Sequence, residues 1–393
     1  MNEIEGARRG YYQVGKDGKV ENRADPDKDY AQRLETLGWE EVLVEVADQK
    51  TKIFFVRNIH PDEEKAGFLW KKFLAQVFPF NRVEVSEAHP LAAMLGRRTY
   101  QEPVSEERFN ELIARDARNI TIMSGSEEAK RLQTELKAIT RQYAHRKFRG
   151  IDDKFEKLKD KLRPFLHQLG FEVDLNRQFT IPEHPHTFRE VLDAVEHPQA
   201  KEMLQLLHDG EAEWVVSIHE DVDRGDLDPV LNQKRKQKDG FYFYYIFGAG
   251  PEYNAEKELV KLLHGHLIKK LRENGFAIYN GPDDPDDPDL GFIAKDGLIL
   301  QRARNEKRTQ PFDNTFESAA VDLGQQSKNK KDEEKFCRVK GAFCFEIPHR
   351  LSDDRKTEML RIIQAEFIVP FFEAQGMTAT ENELELLATS LLV

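Results

Sequence analysis

Apolar residues along this chain fall into two patterns. One is a short run dense in β-branched and aromatic side chains, which reads as a strand; the other repeats every three to four residues and reads as a helix. EVLVEVADQKTKIFFVRNI (41–59) holds two strands joined by a polar turn at Asp48–Lys50, and the second, Lys52–Ile59, is apolar enough to be buried. AGFLWKKFLAQVF (66–78) follows with helical spacing. Charged, helix-like stretches fill 103–168, without sustained heptads; EVDLNRQF (172–179) follows, with Asp174, Asn176 and Arg177 in or just after a short strand-like run. After two short helices, EWVVSIHED (213–221) reads as a buried strand ending in a polar cluster. Then come a polar loop, the aromatic strand GFYFYYIFG (240–248) and the amphipathic helix EKELVKLLHGHLIKKLREN (256–274). Repeated Pro makes GPDDPDDPDLG (281–291) a loop. RVKGAFCFEIP (338–348) is another buried strand, and a long helix spans 353–376.

Strands alternating with helices predict an α/β sheet covered on both faces. In such sheets ligands gather at the carboxyl ends of strands. Four polar clusters here follow or end strand-like runs: His60–Glu63, Asp174–Arg177, His219–Asp221 and Glu346. The expected organisation is a single domain over 1–393, with a helical insertion at 90–168 and a C-terminal tail at 377–393.

Composition narrows the function. The 393 residues are 39% apolar and 33% charged, with 59 basic against 71 acidic residues and a net charge of −12. An acidic chain is poorly suited to gripping a phosphate backbone, so no nucleic-acid partner is expected. Two cysteines, Cys337 and Cys344, make neither a disulfide framework nor a cysteine-based zinc site. MNEIEGARRG lacks an apolar leader core, and no run of about 18 apolar residues exists to span a membrane. The expected location is the cytoplasm.

NIHPDEEKAG sets His60 and Glu63 three residues apart in a loop after a strand. An imidazole and a carboxylate suit zinc, and a hydrolytic zinc site needs three protein ligands and one open position. His219, ending the strand WVVSI, is the best third ligand. The alternative for His60–Glu63 is a polar turn capping the helix that begins near Lys65. In VDLNRQF, Arg177 could pair bidentately with a substrate carboxylate, with Asn176 donating beside it. Asp174 could accept the N–H of a ligand imidazole. The same segment also reads as a strand end with a surface salt bridge. Glu346 sits between Phe345 and Ile347, where a carboxylate is costly unless paired, metal-linked or functional. An edge-strand Glu facing water is the other reading.

Taken together and in this order, IHPDE, EVDLNRQF, VSIHED and AFCFEIP resemble the metallocarboxypeptidase superfamily of zinc peptidases. That group includes carboxypeptidase A-like enzymes and the succinylglutamate desuccinylase/aspartoacylase branch. The resemblance covers core strands between about residues 50 and 375 and excludes 90–168 and the tail. It implies a three-layer α/β/α fold with a mixed, mostly parallel central sheet, and one Zn2+ per chain held by His60, Glu63 and His219. It also implies that Asp174 orients the ring of His60, and that Arg177, with Asn176, binds the substrate carboxylate. Glu346 then accepts the proton of the attacking water and delivers it to the leaving amine.

Some features depart from the family. Pro61 stands where Gly commonly follows the His. The oxyanion-stabilising Arg has only Arg163 as a nearby counterpart, with His167 at roughly the expected spacing. No Tyr occurs in 300–345, which leaves Tyr279, Tyr242 or Tyr244 for the mobile-tyrosine role. Other candidate sites read more simply. His264 and His266 face apart on a helix. His184 and His186 lie in a Pro-rich loop, and Asp283–Asp289 departs from a calcium loop. Lys234–Lys238 reads as a solvated loop and Phe241–Phe247 as core. Glu220 and Asp221 either support the metal ligands or are polar strand-end residues.

The expected activity is a zinc-dependent hydrolase cleaving an amide bond beside a carboxylate, with a peptide or N-acyl amino acid substrate. A metallocarboxypeptidase is the leading form. An N-acyl amino acid deacylase is the alternative, and a catalytically inactive binding protein of the same fold is the third.

Overall fold

The computed structural model describes most of residues 175–221, 240–303 and 315–377. It also describes part of 53–70, and elsewhere short strand backbones and single helical positions. The strands are β1 (Gly10–Val14), β2 (Val20–Arg23), β3 (Leu43–Val46), β4 (Ile53–Val56), β5 (Arg82–Glu87), β6 (Tyr100–Pro103), β7 (Ile120–Ile122) and β8 (Leu169–Val173). They continue as β9 (Trp214–Asp221), β10 (Leu227–Asp228), β11 (Gln233–Lys234), β12 (Tyr242–Phe247), β13 (Gly281–Pro282), β14 (Ile293–Ala294), β15 (Leu298–Arg302) and β16 (Gly341–Pro348). The helices are α1 (Phe188–Ala194), α2 (Pro198–Asp209), α3 (Asn254–Glu273), α4 (Phe316–Ser327), α5 (Asp353–Ile363) and α6 (Val369–Ala374).

Two compact units divide the chain. The first comprises 1–96, 175–223 and 238–393; the second comprises 97–174 and 224–237. In the second, β6 and β7 pair antiparallel with opposite edges of β8, and β10 pairs with β11. The first is built on a nine-stranded sheet in the order β15-β12-β16-β9-β4-β5-β3-β1-β2. From β15 to β5 the pairing is parallel except between β12 and β16, and from β5 to β2 it is antiparallel. The expected α/β class with a mixed sheet is present. The two strands read in 41–59 both form, but β5 lies between them, so they are not a hairpin.

Strand alternation divides the core. Val215, Tyr242, Tyr244, Ile246, Ile299, Ala342 and Cys344 meet residues of α2 and α4 such as Leu204, Leu207, Ala319 and Ala320. Their neighbours Trp214, Val216, Ile218, Phe243, Phe343 and Phe345 point into a second cluster with Leu267 and Leu271 of α3 and with Met359, Leu360 and Ile363 of α5. The aromatic run Phe241–Phe247 is buried throughout, so it is core as expected.

The long helix expected over 353–376 is interrupted. Ser352 caps α5 by accepting from Arg355 N, but a π-helical turn at Gln364–Ile368 separates α5 from α6. Pro370 gives the physical reason: it has no N–H and its ring crowds the carbonyl of Glu366, and the wider turn relieves both. Among the described residues no helix is long and apolar enough to cross a membrane.

Candidate active site

The WVVSIHED run places His219 near the carboxyl end of β9, on the face shared by Val215 and Ser217. β16 runs parallel beside it, with Glu346 opposite His219 and Cys344 opposite Ser217. On the other edge of β16, Tyr242 of β12 is paired with Glu346. Residues directly opposite in a ladder share a face, so His219, Glu346 and Tyr242 form one row across three strands. His219 is buried and Glu346 is half-buried.

A glutamate from α4 lies against this row. Thr315 caps α4 by accepting from Ser318 N, and Asn176 Oδ1 accepts from Phe316 N, the first amide of the helix, at 2.8 Å. These bonds satisfy first-turn donors that have no partner within the helix. Glu317 follows in that first turn, fully buried, with Oε1 at 3.5 Å from His219 Nε2 and Oε2 at 3.5 Å from Asn176 Nδ2. Burial opposes ionisation of Glu317. The hydrogen bond and charge of His219, helped by Ser217 and the residue's own backbone amide, outweigh it and hold the carboxyl at about 2. A carboxylate at Nε2 fixes the imidazole tautomer with its proton there, the arrangement that prepares a histidine to ligate metal through its other nitrogen.

Cys344 completes the neighbourhood. Its thiol donates to Glu346 Oε1 at 3.7 Å, and burial pushes it up to about 12. His219, Glu317 and Cys344 can each offer one ligand atom, all within 4.8 Å of one another.

Of the residues expected from sequence, His219, Glu346 and Asn176 are found here. His219 and Glu346 are ladder partners, and Asn176 reaches His219 through Glu317. His60, Glu63 and Asp174 lie outside the described residues. Arg177 ends a 3-10 turn, Leu175–Arg177, that follows β8, and only its backbone is described. Arg163 is exposed in the second unit, and His167 lies outside the described residues. Tyr279 donates its hydroxyl to Pro282 O at 2.6 Å. Glu317 was not anticipated. Its signal is FESAAVDLG, where Ser318, Ala319 and Ala320 let the helix approach the sheet closely, so a glutamate among them must be buried.

No protein-family model matches the chain, and no curated protein matches it in sequence. Solved structures similar to it include carboxypeptidase A from Helicoverpa armigera, at 10% identity over 85% of this chain and 65% of that one, with a TM-score of 0.42. Another is a metallo-carboxypeptidase from Burkholderia cenocepacia, at 9% identity over 93% of this chain and 65% of that one, TM-score 0.40. A third is a succinylglutamate desuccinylase from Silicibacter sp. TM1040, at 10% identity over 96% and 70%, TM-score 0.35.

Proposed function

We propose that this chain is a zinc-dependent hydrolase that cleaves an amide bond beside a carboxylate, acting as a metallocarboxypeptidase. The observation that carries the reading is the pairing of His219 with Glu346 on adjacent parallel strands, with a buried carboxylate at the imidazole. An imidazole held in this way is a chemically fit zinc ligand, and the carboxylate paired with it one strand away supports the reading of Glu346 as base. The fold proposed with it is a three-layer α/β/α domain over 1–393, with 90–168 as an insertion and 377–393 as a tail.

His60, Glu63 and His219 would hold the ion, leaving one position open. Bound zinc supplies Lewis acidity toward a water and the scissile carbonyl. Glu346 accepts a proton from the attacking water and passes it to the departing amine. Arg177 pairs with the substrate carboxylate, and Asp174 orients the ring of His60. Asn176, both of its amide atoms engaged at α4, steadies Glu317 in place of the substrate-binding role expected from sequence.

The test is metal analysis of the zinc-replete full chain, with assays on a peptide panel and on N-acyl amino acids. One zinc per chain with release of C-terminal amino acids supports the proposal. Activity confined to N-acyl amino acids moves it to a deacylase, and a zinc-loaded chain inert on both is a binding protein. Less than about half a zinc per chain removes the hydrolase reading.

The His219, Glu317 and Cys344 cluster, buried at all three residues, favours a second reading, a closed metal site built on these three. Cys344→Ser separates the two: it removes metal from a closed site and leaves zinc content unchanged in the proposed one.

A further inference from the structure

Glu220 follows His219 in β9 and points to the opposite face of the sheet, where it is 1% exposed. Both of its oxygens are engaged. Oε1 accepts the backbone N–H of Ala66 at 2.5 Å. Oε2 accepts from Lys356 Nζ at 2.6 Å and stands 2.8 Å from His349 Nδ1. Lys356 is as deeply buried, at 1% exposed.

The positions of these partners matter more than their number. Ala66 is helical and lies three residues after Glu63. His349 lies in the turn three residues after Glu346, and Lys356 lies in the first turns of α5. A single carboxylate therefore contacts the segment following His60 and Glu63, adjoins His219, and touches the turn that follows Glu346. A buried ion pair needs no such arrangement. Such pairs are often replaced by apolar residues with no loss of stability, because desolvation offsets the attraction. What an apolar pair cannot supply is an acceptor for the amide of buried Ala66, and an unmet buried donor is costly.

We propose that Glu220 is a positioning residue: by binding the Ala66 amide it fixes the chain just beyond Glu63 against the strand that carries His219, and so sets the spacing of the metal ligands. Lys356 neutralises it in the interior. This rests on the zinc reading given above.

The experiment measures zinc affinity of the full chain by chelator competition, with melting temperature as the check on folding. Three variants separate the bond from the charge pair. Glu220→Leu/Lys356→Met removes both charges and the acceptor. Glu220→Gln/Lys356→Met removes the charges but keeps a carbonyl oxygen for the Ala66 amide. Ala66→Pro deletes the N–H and leaves the pair intact, with the melting temperature reporting any wider disturbance of the backbone. The expected result is zinc binding weakened about 10–100-fold in the first and third, the scale of losses when support for a ligand is removed. The Gln/Met variant stays within about threefold of the parent, since its acceptor remains. Should Leu/Met fail to fold, Ala66→Pro decides alone. Parental zinc affinity in Leu/Met or Ala66→Pro overturns the positioning role while leaving the zinc reading intact, as does equal loss in both double variants. A parent chain that binds no zinc overturns both.

Discussion

The carboxylate of Glu317 lies 3.5 Å from Nε2 of His219, and both side chains are buried. Nothing in the strand that carries His219 supplies this partner; it arrives on α4 from 98 residues further along the chain. A carboxylate there pins the ring and raises its basicity as a ligand. Glu317→Ala is therefore expected to weaken zinc binding by up to about a hundredfold, and Glu317→Gln, which keeps an acceptor oxygen, by about tenfold. Chelator competition at neutral pH measures both. Unchanged affinity in the Ala variant would reduce Glu317 to a packed helix residue.

Glu346 faces a different test, because a general base is dispensable for metal binding. Glu346→Gln is expected to keep its zinc and lose turnover by about 10²–10⁴-fold, the usual contribution of a positioned proton acceptor. His219→Ala should do the reverse at the first step, losing zinc and with it activity. Parallel metal analysis and steady-state kinetics on the two variants separate the roles. Near-normal turnover in Glu346→Gln removes it as base.

These two residues mark how far the sequence is legible. WVVSIHED and GAFCFEIP each declare a buried strand through their apolar content, and each carries a polar residue that burial makes expensive. The structure finds them as β9 and β16. Their adjacency, their parallel sense and the register that sets Glu346 opposite His219 depend on non-local pairing that no local pattern encodes. The same holds for Asn176, whose contact with Glu317 spans 141 residues. EVDLNRQF reads as a strand end, and a strand does end there. β8 stops at Val173; what its pattern does not show is the 3-10 turn Leu175–Arg177 that brings Asn176 to the start of α4. Glu220 read equally well as a polar strand end, since its importance lies in Ala66, 154 residues before it.

The cysteines give a prediction about chemistry that should not occur. Burial pushes both Cys337 and Cys344 up from 9.0 to about 12, and Cys337 Sγ donates to Ala320 O at 3.4 Å. The thiolate is the reactive form, so iodoacetamide at pH 8 should label neither in the folded chain and both in denaturant. A raised thiol pKa also means that folding favours the protonated form. Its stabilising share is complete below about pH 9 and is lost as pH climbs toward 12. Denaturant unfolding of the parent and of Cys337→Ala across pH 8–11 reads that share as a shallower alkaline loss in the variant. Rapid labelling of the native chain would mean that β16, the segment leading into it and α4 are not packed as described.

Gly324 tests whether the position of α4 is as exact as the site requires. A Cβ built there would stand 1.9 Å from the carbonyl oxygen of Val339 and 2.8 Å from its carbonyl carbon. The obstacle is backbone leading into β16, which cannot swing aside as a flexible side chain would. Glycine's usual cost within a helix, roughly 1 kcal/mol relative to alanine, is accepted here so that α4 can lie close to that segment. Gly324→Ala should then reverse the ordinary helix preference and destabilise the chain by about 1–3 kcal/mol, the range for overpacking. Because α4 also carries Glu317, any outward shift of the helix lengthens the contact with His219. Loss of stability should therefore be accompanied by weaker zinc binding, whereas Gly265→Ala on α3, where nothing lies within 4 Å of the added carbon, should stabilise slightly and leave zinc affinity alone. Denaturant unfolding and chelator competition on this pair of variants check both halves. Equal, small effects at the two glycines would show that α4 does not approach β16 as closely as described.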